Sequence, residues 1–158
     1  MAKHPGCELC EGIQSTASVL VHCEADLRVI RVLDAPEFPA FYRVIWNDHV
    51  AELSDLTDAE RARCMAAVVA VERVLRAALQ PTKINLAALG NVVPHLHWHV
   101  IARFDWDAQF PQPIWGPRQR TPEPSAAERL ACDWPTLDTQ VQQAVHTALT
   151  AFTTGQAS

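Results

Sequence analysis

The 158-residue chain lacks the features that mark membrane, secreted and nucleic-acid-binding proteins. It has no apolar run near the length of a membrane span, and residues 1–6 lack the apolar core of a signal peptide. A cytoplasmic protein without a membrane partner is therefore expected. Thirteen Lys and Arg against 18 Asp and Glu give a formal net charge of −5, which argues against general nucleic-acid binding. A small anionic ligand is still compatible with this charge, because a local cluster of donors can hold a phosphate.

The cysteines do not predict a disulfide framework. There are five of them, an odd number, and the expected compartment is reducing. Cys64 lies in an apolar helical stretch and is expected in the core. Cys7 and Cys10 form a Cys-x-x-Cys pair, which by itself is compatible with a redox pair, half of a zinc site or two unrelated thiols.

Alternating and β-branched stretches predict four strands. They are expected at residues 27–33, 41–46, 84–89 and 95–104, after an irregular or briefly helical start at residues 1–14. One helix should follow the second strand and another the fourth. The remaining links between strands are short, which favours an antiparallel sheet in an α+β domain.

Two capping boxes predict where helices begin. Thr57 is followed three residues later by Glu60, and apolar residues then recur at helical spacing as far as residue 80. Ser125 and Glu128 repeat this pattern ahead of a last helix. The prolines between the fourth strand and Ser125 predict an irregular stretch over the surface.

The most informative segment carries His95, His97 and His99 at every second position. Alternate side chains of a strand share a face, so the three imidazoles are expected on one side of the sheet. Two chemistries fit this geometry. The histidines could chelate zinc. Alternatively, one imidazole could be a nucleophile at phosphorus while its neighbours orient it, bind phosphate oxygens and carry a proton.

The run His95-Leu96-His97-Trp98-His99-Val100-Ile101 resembles the His-φ-His-φ-His-φ-φ signature of the histidine-triad (HIT) superfamily, in which φ is apolar. The resemblance covers residues 7–104 and extends to the strand at 41–46 and the residues after it. It implies a single HIT-like α+β domain over residues 1–158, with an antiparallel sheet of about five strands. Residues 105–158 would form an irregular Pro-rich segment and a C-terminal helix, and two chains would form a homodimer.

The resemblance also implies a reaction, in which a covalent nucleotidyl-histidine forms at the α-phosphate and no cofactor is required. His97 would be the nucleophile, and His99 would contact phosphate and help the leaving group. His95 would orient the nucleophile through its main-chain carbonyl. The stretch before the triad looks most like bacterial diadenosine polyphosphate hydrolases, so a dinucleoside polyphosphate or a related nucleotide is the expected substrate.

Further positions match nucleotide-binding residues of the family. The resemblance implies that Asn91, after Gly90, binds phosphate or leaving-group oxygens and that Asn85 and Asp34 hold the ribose. Asp34 precedes Ala-Pro and could equally be a turn residue. Arg103 is expected either to attract phosphate or to lie exposed at the end of its strand.

The sequence departs from the family pattern at three positions. Val92 stands where many members have Ser or Thr, Phe41 where many have His, and Trp46 where Pro is common. These departures keep other functions open. The alternatives are a nucleotide-binding or sensing protein with little turnover, an adenosine phosphoramidate hydrolase, and a hydrolase that uses the three histidines to hold zinc.

A structural zinc is implied by the same resemblance. In some bacterial members a cysteine pair, a histidine after the central strand and the first triad histidine bind the metal. The corresponding residues here are Cys7, Cys10, His49 and His95. His4 and His22 are further candidates. Such an ion would attach the N-terminal segment to the sheet and would have no role in the chemical step.

Overall fold

The computed structural model describes residues 3–12 and 16–155. The strands are β1 (Ser18–Cys23), β2 (Leu27–Val32), β3 (Phe41–Trp46), β4 (Lys83–Ala87) and β5 (His97–Arg103). The helices are α1 (Glu8–Glu11), α2 (Asp58–Leu79) and α3 (Trp134–Gly155). All strand pairs are antiparallel, in the order β1-β2-β3-β5-β4. The expected α+β class with an antiparallel sheet is therefore confirmed.

Strand β1 is absent from the sequence prediction, which starts the sheet at residue 27. The reason is an irregularity in its pairing with β2. Leu20 pairs with Ile30, but His22 pairs with Val29, so the register shifts between these two residues. A bulge of this kind breaks the two-residue period by which a strand is recognised in a sequence.

The triad strand is shorter than predicted, and the expectation that it begins at residue 95 is wrong. The main-chain N–H of His95 donates to the Val93 carbonyl at 2.8 Å, and this tight turn keeps His95 out of the ladder. Strand β5 begins only at His97. Strand β4 covers Lys83–Ala87 rather than 84–89. Of the short helix allowed at the start of the chain, α1 is observed, and residues 1, 2, 13 and 14 of that region lie outside the described residues.

The two capping boxes have different outcomes. Thr57 caps the 22-residue helix α2, as expected. The second box precedes only a single 3-10 turn, Ala127–Arg129, and the last helix begins at Trp134. Within the part of the chain that the structure describes, no helix combines the length and apolarity that a membrane crossing requires.

The alternation of side chains in the sheet separates a core face from a face that carries the histidines. Val100 of β5 packs in the main core with Leu75 of α2 and Val145 of α3. His97 and His99 project from the opposite side of the same strand. The helices α2 and α3 therefore support β5 from behind and leave its histidine face to the short helix α1 and the segment that follows β5.

Candidate active site

The orientation of His97 follows from one hydrogen bond. Its Nδ1 lies 2.7 Å from the main-chain oxygen of His95, and a carbonyl oxygen can only accept, so Nδ1 carries the proton. The lone pair is then on Nε2. The side chain is 9% exposed, and burial lowers the pKa of His97 from its ordinary value, which favours the neutral ring. A neutral imidazole with a free Nε2 has the form that a nucleophile needs.

His99 is a neutral imidazole packed among aromatic rings. The ring centroids of Phe41 and Trp115 lie 5.2 and 5.8 Å from that of His99. Burial is the main cause that lowers its pKa to about 3, and the nearby His97 and Arg43 add to this effect. Neither ring nitrogen has a hydrogen-bond partner among the described residues. Buried polar groups are rarely left unpaired, so these nitrogens are candidates to bind a ligand.

His95 does not share the face of the other two histidines. Its Nε2 lies 2.6 Å from the main-chain oxygen of Trp46, and its Nδ1 lies 3.5 and 3.4 Å from the sulfurs of Cys7 and Cys10. The expectation that all three imidazoles project together is therefore wrong. Because the Trp46 carbonyl must accept, Nε2 is protonated and Nδ1 presents its lone pair to the thiols.

The cluster of Cys7, Cys10, His49 and His95 has the geometry of a tetrahedral metal site. One possible ligand atom from each residue lies within 4.8 Å of the other three. The sulfur of Cys10 is 3.3 Å from His49 Nδ1 and 3.4 Å from His95 Nδ1. In a tetrahedral zinc site, bonds of about 2.3 Å to sulfur and about 2.0 Å to nitrogen place S and N about 3.6 Å apart. The four expected ligands thus fit zinc to within a few tenths of an ångström.

His4 and His22, the two further candidates for zinc, are not part of this cluster. His4 stacks on His49 with ring centroids 4.9 Å apart, and its main-chain N–H points to the Cys10 sulfur at 3.4 Å. His22 lies on β1, 3.2 Å from a carboxylate oxygen of Glu24.

A cavity of about 380 Å³ lies on the histidine face, over β2 and beneath α1. Its walls include the apolar side chains of Leu9, Ile30 and Val32 and the polar side chains of Asp34 and Arg43. The apolar part suits a flat base, and a carboxylate at the rim suits sugar hydroxyls. Asp34 therefore lies where the resemblance places a ribose ligand.

Asn85 lies elsewhere. It is on β4, which is separated from β2 by two strands, or roughly 14 Å at the usual interstrand spacing. Its side-chain oxygen accepts a hydrogen bond from Arg103 at 2.8 Å. The structure does not bring Asn85 and Asp34 to the same place, and only Asp34 lines the cavity.

Neither expectation for Arg103 is met. The side chain is 1% exposed, and its Nε and Nη2 donate to the two carboxylate oxygens of Asp107 at 2.7 and 3.0 Å. Asp107 also accepts main-chain N–H donors from Phe104 and Phe110 at 3.2 and 2.7 Å. This buried pair organises the segment after β5, which carries Trp115 to the triad.

The loop before the triad is open to solvent. Gly90 has φ of 72°, a conformation that side chains disfavour, and the chain turns there towards His95. Asn91 follows it and is exposed, as a ligand for phosphate oxygens would be. Val92 is 93% exposed.

Sequence reasoning missed Arg43 and left Trp115 undecided. Arg43 pairs with His99 across β3 and β5 and lines the cavity, and its position two residues after Phe41 on a strand was the available signal. Trp115 is 57% exposed although it lies against His99. No local pattern in the Pro-rich segment indicates that contact.

Comparison with known proteins agrees with this geometry. The family model described as HIT domain matches residues 14–106, which is more than half of the chain. A histidine triad protein from Bradyrhizobium japonicum has a similar structure, with a TM-score of 0.65, 26% identity, and coverage of 94% of this chain and 99% of that one. A histidine triad protein from Sinorhizobium meliloti gives a TM-score of 0.61 at 25% identity, over 79% of this chain and 87% of that one. The chain therefore belongs to the HIT family.

Among curated proteins, the chain is similar to the AP-4-A phosphorylase of Mycobacterium tuberculosis. The two are 36% identical over 81 residues, which cover 48% of this chain and 42% of that protein. The chain thus matches less than half of the relative's length. A Zn-bound histidine triad family protein from Mycobacterium smegmatis shares the fold, with a TM-score of 0.55 and 17% identity over 92% of this chain and 94% of that one.

Proposed function

We propose that this HIT protein is a nucleotide hydrolase or nucleotidyl transferase in which His97 attacks the α-phosphorus of a dinucleoside polyphosphate or a related nucleotide. The observation that carries the proposal is the 2.7 Å hydrogen bond from His97 Nδ1 to the His95 carbonyl, because it leaves the Nε2 lone pair free beside a cavity of nucleoside size. The similarity to an AP-4-A phosphorylase supports this substrate class.

The reaction would proceed in two displacements. A bond forms between His97 Nε2 and the α-phosphorus while the bond from that phosphorus to the leaving-group oxygen breaks, and the leaving group keeps the electron pair. Water or inorganic phosphate then attacks the same phosphorus, and the electron pair of the broken P–N bond returns to Nε2. His99 would donate a hydrogen bond to a phosphate oxygen, and Asp34 would hold the ribose.

The test is the mass of the intact protein after rapid, acid-free quenching with diadenosine tetraphosphate. The wild type should gain one nucleotidyl group, and His97→Ala should gain none, because it lacks the nucleophile. His146→Ala, which removes an exposed histidine on α3, is the matched control and should behave as the wild type. Adding phosphate identifies the acceptor, since transfer to water releases AMP and transfer to phosphate releases ADP.

The same assay distinguishes the alternatives. Consumption of adenosine phosphoramidate faster than of any dinucleoside polyphosphate would favour the phosphoramidate hydrolase. If neither protein gains mass and no member of a nucleotide panel is consumed, a binding or sensing protein replaces the enzyme. Exposed Val92 and buried Phe41 are the residues that favour this second function, because neither offers a hydroxyl or imidazole to the leaving group.

We also propose that Cys7, Cys10, His49 and His95 hold a structural zinc. The proposal rests on the sulfur–nitrogen distances and on the orientation of His95. A histidine that ligates a metal usually donates its other N–H to a carbonyl, as His95 does to Trp46. The ion would attach α1 to the sheet, and no step of the reaction passes through it.

The homodimer and the cytoplasmic location stay predictions. Strands β1 and β4 are the two edges of the sheet, and an edge strand is a common place for a second copy to pair. The mass of the particle in solution, measured by light scattering, tests the dimer.

A further inference from the structure

Arg43 differs from the other buried arginines of the sheet in having no partner. Arg103 pairs with Asp107, Arg31 with Asp138, and Arg28 donates to a main-chain oxygen at 2.6 Å. The Nε of Arg43 is buried and has no hydrogen-bond partner within the described residues. Nor does any carboxylate in that part of the chain lie within 4.0 Å of its guanidinium. An unpaired, half-buried guanidinium is costly, so it points to a ligand that completes it.

The position of Arg43 identifies the kind of ligand. It lies on β3, between Ile30 of β2 on one side and His99 of β5 on the other. It also lines the cavity that has Asp34 at its rim. A nucleoside in that cavity has to pass its 5′ substituent over Arg43 to reach the histidines.

We propose that Arg43 binds the α-phosphate of the nucleotide and holds it between the nucleoside cavity and His97. The inference rests on the proposed function for the identity of the ligand. A guanidinium presents two parallel N–H groups that match two phosphate oxygens, and such charge-assisted bonds are among the stronger ones in proteins. The negative charge of the phosphate would also replace the missing counter-ion.

The local contacts of Arg43 do not account for its position. Its guanidinium carbon is 5.4 Å from the centroid of the Phe41 ring, so a cation–π contact supports it. That contact leaves the N–H donors unpaired. Asp34 and Glu8 attract the charge at longer range, while burial has the larger effect and lowers the pKa of Arg43. The side chain is thus held in place by Phe41, and its donors are left for the ligand.

Arg43 would also take over a duty that the loop before the triad lacks. At position 92, where many family members place a hydroxyl, this chain has an exposed valine. A fixed positive charge on the nucleoside side stabilises the phosphorus oxygens as negative charge develops on them. The residue would then affect turnover as well as binding.

The test compares the binding of AMP and adenosine by titration calorimetry, with the full-length protein. Arg43→Gln should weaken AMP binding by about 10- to 100-fold, because a hydrogen bond to a charged group is lost, and should change adenosine binding by less than about twofold. Arg43→Lys, which keeps the charge without the two-pronged geometry, should lie between. Arg73→Gln is the matched control, since Arg73 is an exposed arginine on α2, away from the histidine face.

The possible outcomes separate this proposal from the proposed function. Equal AMP affinity for wild type and Arg43→Gln overturns it, as does an equal loss for AMP and adenosine, or a wild type that binds neither. Should Arg43→Gln not fold, the ratio of AMP to adenosine affinity in Arg43→Lys decides, and an unchanged ratio overturns the proposal. If the wild type never forms the covalent adduct but loses AMP binding in Arg43→Gln, the enzyme proposal fails and the phosphate-binding role of Arg43 stands.

Discussion

His95 links two sites through three of its atoms. Its Nδ1 faces the thiols of Cys7 and Cys10, its Nε2 donates to the Trp46 carbonyl, and its own carbonyl accepts from His97. One residue therefore belongs to the zinc cluster by its side chain and to the triad by its main chain. A substitution of His95 changes both sites at once, so His97 and His99 are the better positions at which to probe the chemistry.

His99 predicts a pH dependence of stability. Its pKa is lowered to about 3 in the folded protein from an ordinary value of 6.5. Between these values the unfolded chain binds a proton that the folded chain does not, so the free energy of unfolding falls as the pH falls through this window and is restored at higher pH. The slope of unfolding free energy against pH, from urea titrations at pH 7 to 4.5, should be smaller in His99→Gln.

Part of the slope should remain in that variant. Burial also lowers the pKa of His95 and of His97, which act in the same direction. The groups that face His99 itself are Arg43, His97 and the rings of Phe41 and Trp115. Parallel curves for wild type and His99→Gln would show that His99 titrates normally in the folded state.

At the scale of an element, the two capping boxes show how a shared local pattern leads to different structures. Thr57 Oγ1 accepts from Glu60 N at 3.3 Å, and the helix that follows buries one face against the sheet. At the second box, the Glu128 carboxylate accepts from Ser125 N at 3.0 Å, but only one 3-10 turn follows. The pattern fixes the first turn locally, and the apolar face that packs on the core decides whether a helix continues.

This contrast predicts unequal effects of removing the two hydroxyls. Thr57→Ala should lower the free energy of unfolding by about 1 kcal/mol, the usual effect of losing an N-cap. Ser125→Ala is the matched control and should change it by less than about 0.5 kcal/mol, as exposed substitutions usually do. Chemical denaturation of both variants measures the difference, and equal losses would mean that the second box also supports a stable element.

For the whole molecule, α1 connects the proposed zinc site to the nucleoside cavity. Cys7 and Cys10 flank and enter this helix, while Leu9 packs against Ile30 and Ile45 and lines the cavity. A four-residue helix is too short to persist without tertiary contacts. The metal should therefore keep one wall of the cavity in place.

Removal of the metal is expected to weaken nucleotide binding more than the chemical step. Cys10→Ser, or chelation followed by buffer exchange, should raise KM for the nucleotide several-fold and lower Tm, while the adduct at His97 still forms. Cys23→Ser is the matched control, because Cys23 is an exposed thiol on β1. Metal content by mass spectrometry should fall only in Cys10→Ser. A kcat that drops to zero with KM unchanged would contradict a purely structural role.

Much of the molecule follows from local rules. The strand at Phe41–Trp46 and the helix from Asp58 to Leu79 agree with their sequence patterns because hydrophobic period and capping act over a few neighbouring residues. The triad signature is equally local, which is why it predicts the family. Strand β1 escaped prediction because its register shift with β2 depends on the partner strand.

The sequence by itself determined the fold class, the family and the set of four residues that can hold zinc. Only the tertiary structure decided how the site is arranged. It turned His95 towards the cysteines, placed Asn85 three strands from Asp34 and paired it with Arg103, and left Arg43 unpaired beside His99. These relations depend on strand order, register and the packing of distant segments, and no periodicity within one segment contains that information.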